Sequence, residues 1–131
     1  MPFVNYNRLS FNYSEDKLIW DRALVTLPEL CNYLEFNVLY NRPGVELEQI
    51  MEQYGGMLRK PLGYRMYAYG KKGRLCLPVN PNTVAFLRSK DFLDWNGGLL
   101  EDPSLLIGDD EILGSITHEG MFELKRGWLE V

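Results

Sequence analysis

His118-Glu119 is the one place in the chain where an imidazole stands beside a carboxylate, a pairing able to act as a general base. His118 is the single histidine and precedes Gly120 in what reads as a turn, where a lone imidazole usually serves as a surface hydrogen bonder. A small enzyme using His118 therefore ranks behind other readings. Gly114-Ser115 lacks the Gly-x-Ser-x-Gly spacing of a nucleophile elbow. Gly70-Lys71-Lys72-Gly73 lacks the frame of a phosphate-binding loop, and Gly97-Gly98 lacks the dinucleotide pattern. No catalytic residue is assigned and no cofactor is expected.

Asp109-Asp110-Glu111, with Glu101-Asp102 upstream, could offer carboxylate oxygens to a hard cation, but the ligands do not alternate as in a calcium loop. A solvated acidic turn, or an acidic pole that docks on a basic partner, fits them better, and no metal is expected. Cys31 and Cys76 each sit among apolar neighbours, where a free thiol behaves as a small buried hydrophobe. Two Cys and one His cannot complete a four-ligand Cys/His zinc site.

The net charge is only −4, yet its layout along the chain is segregated. Residues 59–90 carry eight bases and no acid, and residues 91–124 carry nine acids and no base. Blocks of opposite sign can neutralise each other inside the fold or present two poles to outside partners. The basic block also holds aromatics, so Arg65, Tyr67, Tyr69, Lys71 and Lys72 could meet the phosphates and bases of a single strand of nucleic acid. The adjoining acidic block would repel that polyanion unless it lay on another face.

These residues need elements to position them. The 131 residues are 46% apolar, enough for one single α+β domain spanning 1–131 with its own core. No apolar run reaches the length of a membrane helix; Leu99 to Ile107 is interrupted by Glu101, Asp102 and Pro103. The first residues resemble no secretory signal, so a cytoplasmic location is expected. Residues 3–13 read as an irregular strand, while 17–25 fit either a short helix or a strand. Thr26-Leu27-Pro28-Glu29 has the chemistry of a helix start, and Leu27, Leu30, Cys31, Leu34 and Val38 then form one apolar stripe, predicting a helix that ends before Gly44. Leu47, Ile50, Met51 and Tyr54 predict a second helix that stops at Gly55-Gly56. Runs at 64–69 and 74–79 predict a hairpin, Asn80-Pro81-Asn82-Thr83 opens a short helix around 84–93, and Trp95-Asn96-Gly97-Gly98 breaks it. Residues 111–117, 121–125 and 128–131 alternate between glycine turns as an antiparallel meander. The architecture expected is an antiparallel sheet, with the hairpin near 64–79 and the C-terminal meander, packed with two to three helices.

With no reaction motif and with segregated charge, the leading expectation is a small protein-binding module. Its most concrete form is an acidic inhibitor or immunity-type protein that docks on a basic partner such as a nuclease. Interfaces concentrate aromatic anchors and charge, which nominates Trp95, Asp109, Asp110, Glu111 and Glu119. The alternative is nucleic-acid binding through the basic and aromatic hairpin at 59–74.

Overall fold

Asn12 opens the first helix: its side-chain oxygen accepts from the Ser14 amide at 3.2 Å, and Glu15 and Asp16 place negative charge in the first turn, where the helix dipole favours it. That helix, α1 (Tyr13–Thr26), resolves the ambiguous segment and turns Trp20, Ala23 and Leu27 inward at helical spacing. It cannot extend past Pro28, which has no N–H to give to the Leu24 carbonyl. Arg88 fills the vacancy, its Nε and Nη2 donating to Leu24 O at 3.2 and 2.6 Å. The structure, a computed structural model, describes residues 8–39, 45–59 and 71–128.

Beyond Pro28 the chain departs from expectation. The stripe from Leu27 to Val38 is no helix: a single 3₁₀ turn (Pro28–Leu30) leads into strand β2 (Tyr33–Leu39). The same residues satisfy a period of two, with Leu34, Phe36 and Val38 inward and Glu35 and Asn37 on the opposite face. Pairing with a neighbour on either side outweighs the helical pattern.

The remaining strands are β1 (Arg8–Asn12), β3 (Met57–Arg59), β4 (Lys71–Pro78), β5 (Leu100–Ile107), β6 (Asp110–Ile116) and β7 (Met121–Lys125). They form one antiparallel sheet ordered β1-β7-β6-β5-β2-β4-β3. The chain is thus an α+β protein; β6 and β7 are the first two strands of the expected C-terminal meander, but the place beside β7 is taken by β1 and not by 128–131, and β5, which read only as an interrupted apolar run, pairs with β6. The first arm of the expected hairpin, 64–69, lies outside the described residues, as do 1–7 and 129–131; Trp128 follows a turn after β7. The second arm is β4, which pairs with β2 and β3.

Helix α2 (Val45–Tyr54) stops where predicted, with Gly55 at φ +72° and the Gly56 amide reaching back to Met51 O at 2.8 Å. Helix α3 (Pro81–Arg88) starts in a reciprocal cap: Asn80 Oδ1 accepts from the Thr83 amide at 3.0 Å, and Thr83 Oγ1 accepts from the Asn80 amide at 2.9 Å. It ends earlier than predicted, and a 3₁₀ turn (Phe92–Asp94) follows.

The three helices among the described residues all send side chains into one core cluster, so they cover a single face of the sheet. Trp20, Leu27, Leu47 and Leu87 meet Leu34, Phe36, Leu75, Leu77, Leu113 and Phe122 there. Trp20 stands edge-on to Phe92 and Phe122, with ring centroids 4.8 and 5.3 Å apart. No helix among the described residues is long and apolar enough to cross a membrane.

Candidate functional site

The opposite face of the sheet carries a buried polar network, and its origin is a bulge in the central strand β5. Glu35 pairs with Ser104 and Asn37 with Glu101, so Asp102 and Pro103 stand where β2 has only Phe36. Pro103 has no N–H for the ladder, and Asp102 takes φ +54°, the one non-glycine at positive φ among the described residues. The bulge aims Asp102 at its neighbours: Oδ2 accepts from Asn37 Nδ2 at 2.7 Å, and Oδ1 accepts from the Thr117 amide at 2.7 Å and the Thr117 hydroxyl at 2.9 Å. Arg74, fully buried on β4, donates from Nε to Glu35 at 3.0 Å, from Nη1 to Asn37 Oδ1 at 2.6 Å and from Nη2 to Ser104 Oγ at 2.7 Å. Arg59, at the end of β3, pairs with the other oxygen of Glu35, reaches Asp109 at 3.4 Å and lies over the Tyr33 ring.

Two guanidinium groups thus share Glu35, and Arg59 also reaches Asp109. Such an arrangement holds the neighbouring strands in register. Among the described residues no three His, Cys, Asp or Glu side chains are grouped to hold a metal ion.

Both cysteines are free and buried. Burial pushes each thiol up to about 11, and for Cys76 the neighbouring Arg59 partly opposes this. The unfolded chain therefore releases these protons first. The stabilisation is complete below the ordinary thiol range and is lost as pH rises towards 11. Thermal unfolding midpoints are expected to fall between about pH 9 and pH 11, and the fall should shrink in a Cys31→Ala, Cys76→Ala double variant.

The residues nominated from sequence do not assemble into one patch. Trp95 is a core residue, 2% exposed, with its ring 4.8 Å from Phe36 and the Lys90 ammonium above it; it cannot anchor a partner from there. Asp109 and Asp110 occupy the β5-β6 turn, where each faces a cation, Arg59 and Lys125 respectively. Glu111 is half-buried, and its carbonyl accepts from Arg8 Nη2 at 2.6 Å. Glu119 lies at the other end of β6, in a 3₁₀ turn (Thr117–Glu119), roughly 20 Å from Asp110 at about 3.3 Å per strand residue. His118 is exposed in that turn. Of the nucleic-acid candidates, Arg65, Tyr67 and Tyr69 lie outside the described residues, and Lys71 and Lys72 open β4. Their neighbours Arg59 and Arg74 are held in internal pairs, Arg59 with Asp109 of the acidic segment and both with Glu35.

Sequence reasoning missed an acidic pole centred on Tyr13. Tyr13 stacks on Phe92 with ring centroids 4.3 Å apart, and its amide donates to Gly120 O at 2.7 Å. It therefore joins the start of α1 to the Phe92–Asp94 turn and to the end of the Thr117–Glu119 turn, and those two turns also pack together. Burial raises the phenol above its ordinary range, and Asp21, Asp91 and Asp94 raise it further; the charges acting on it are all carboxylates. Those three side chains and Glu119 are exposed. Asp91 and Asp94 were visible only as members of the acidic segment, because Asp21 reaches them through tertiary packing.

Comparison with protein-family models, with curated proteins and with solved structures finds no match.

Proposed function

We propose that this protein is a small binding module that docks on a basic protein surface through the acidic pole around Tyr13, acting most concretely as an inhibitor or immunity-type protein of an enzyme such as a nuclease. The observation that carries this reading is the convergence of exposed Asp21, Asp91 and Asp94 on one stacked tyrosine. Asp109 and Asp110, by contrast, each stand beside a cation of the same chain. Like charges gathered on one surface cost stability, and a complementary partner recovers that cost while being steered into register. The polar network ties β2, β4 and β5 together, which supports an architectural part for it.

Capture of the tagged protein from lysate of its source, with and without nuclease treatment, tests the class of partner. A stoichiometric basic protein that survives nuclease is expected; retention of nucleic acid alone would sink the reading and favour the basic segment. With the captured partner, Asp21→Lys, Asp91→Lys and Asp94→Lys together should slow association about tenfold or more at low salt and flatten its salt dependence. Asp109→Lys should change it far less. Equal effects at both ends of the molecule would remove the pole from the argument.

A further inference from the structure

Asn96-Gly97 is the only Asn-Gly pair in the chain, and the fold places it in unusual surroundings. Trp95 before it is locked in the core, its carbonyl accepting from Thr117 Oγ1 at 2.8 Å, and Leu100 and Glu101 after it belong to β5. Between these anchors Asn96 and Gly97 are exposed, Gly97 has φ +86°, and no heavy atom lies within 4 Å of where a Gly97 Cβ would stand. The Gly97 amide belongs to neither helix nor sheet ladder. It donates instead to Glu101 Oε2 at 2.9 Å, from a carboxylate only 5% exposed.

The geometry points to Asn96 as a self-modification site at which Glu101 is the general base. Attack on a side-chain amide requires the backbone nitrogen to lose its proton, and a base within hydrogen-bond reach of that proton is the requirement for assistance. In the step, Gly97 N bonds to Asn96 Cγ while its proton passes to Glu101 Oε2. The Cγ–Nδ2 bond then breaks, and the departing amine takes the proton back from Glu101 and leaves as ammonia. Glu101 is a carboxylate again once the ammonia has left, and the resulting succinimide is opened by water at either carbonyl, giving aspartate or isoaspartate at position 96. Glycine at 97 leaves the ring closure unobstructed, and the two fixed ends hold nucleophile and base together. The product adds a negative charge two residues from Asp94.

The test is incubation of the full chain at neutral pH, native and in guanidinium chloride, with peptide mapping for aspartate and isoaspartate at position 96. Folding ordinarily slows this reaction by restraining the backbone. Here the native chain is expected to convert about tenfold faster than the unfolded one, because only the native chain holds Glu101 at the amide. A native rate equal to or below the unfolded rate overturns the proposal, and this comparison needs no variant. Glu101→Gln, checked by circular dichroism for native structure, should bring the native rate down to or below the unfolded one; a folded Glu101→Gln protein that converts as fast as the parent removes Glu101 from the chemistry.

Discussion

Arg74→Met is expected to cost about 3–5 kcal/mol of unfolding free energy, enough to leave a domain of ordinary stability marginal. The guanidinium is fully buried and bonds Glu35, Asn37 and Ser104, each of them 1% exposed or less. Methionine fills much of the volume but accepts none of those duties. Glu35 keeps Arg59 and the Cys76 side chain, while the Asn37 oxygen loses its charged donor. The penalty is chiefly that of a buried carboxylate stripped of half its compensation, not the intrinsic strength of the pair. Glu35→Met added to Arg74→Met should therefore recover part of the loss, since the buried carboxylate is then gone and Arg59 still faces Asp109. Urea unfolding measures both: the midpoint should fall for the single variant, rise again for the double, and keep a common slope if only stability changes. A single-variant cost below about 1 kcal/mol would show that the interior pair contributes no more than an exposed one.

That network also explains which parts of the fold were legible in the sequence. Local chemistry was readable where the partner lies within a few residues: the Asn80 cap with Thr83, the glycine stop at Gly55, the alternating meander strands. It failed where the deciding partner is distant. Leu27, Leu30, Cys31, Leu34 and Val38 suit a helix, and only pairing with β4 and β5 selects the strand that also buries Phe36. Glu101-Asp102-Pro103 looked like an interruption of an apolar run and is instead the bulge of the central strand, its charges buried because Asn37, Thr117 and Gly97 donate to them. The two charge blocks meet in part at the surface through Arg59 and Asp109, a contact created by the order β5-β2-β4-β3. Trp95 looked like a surface anchor beside its flexible glycines, yet its area is better used against Phe36 and Phe86. The acidic pole was hidden for the same reason, since Asp21 and Asp91 are brought together by the Tyr13 stack on Phe92.

Asp102 joins the network to that pole, and its substitutions should rank in a diagnostic order. Asp102→Ala strands the Thr117 amide and the Asn37 amino group in a buried setting, at about 1–3 kcal/mol for each unsatisfied donor. It also forces a Cβ residue without local hydrogen bonding to hold φ +54°, adding about 1 kcal/mol. Asp102→Gly should lose the same acceptors and escape the backbone strain, so it should be less harmful by about that last amount. Asp102→Asn tolerates the backbone and keeps one oxygen for Thr117, but it sets an amino group against Asn37 Nδ2. Turning Asn37 over would relieve that clash only by breaking its bond to Arg74 Nη1. The stability order expected from thermal or urea unfolding is parent, Asn, Gly, Ala. Because Thr117 heads the turn that packs against Phe92–Asp94 and ties to the Trp95 carbonyl, the damage should also travel. In Asp102→Gly the Thr117 and Gly120 amides should exchange with solvent faster than global destabilisation accounts for, whereas amides of β2 and β4 should track it. Uniform acceleration throughout the sheet would mean that Asp102 holds only the fold, and that the acidic pole keeps its shape without it.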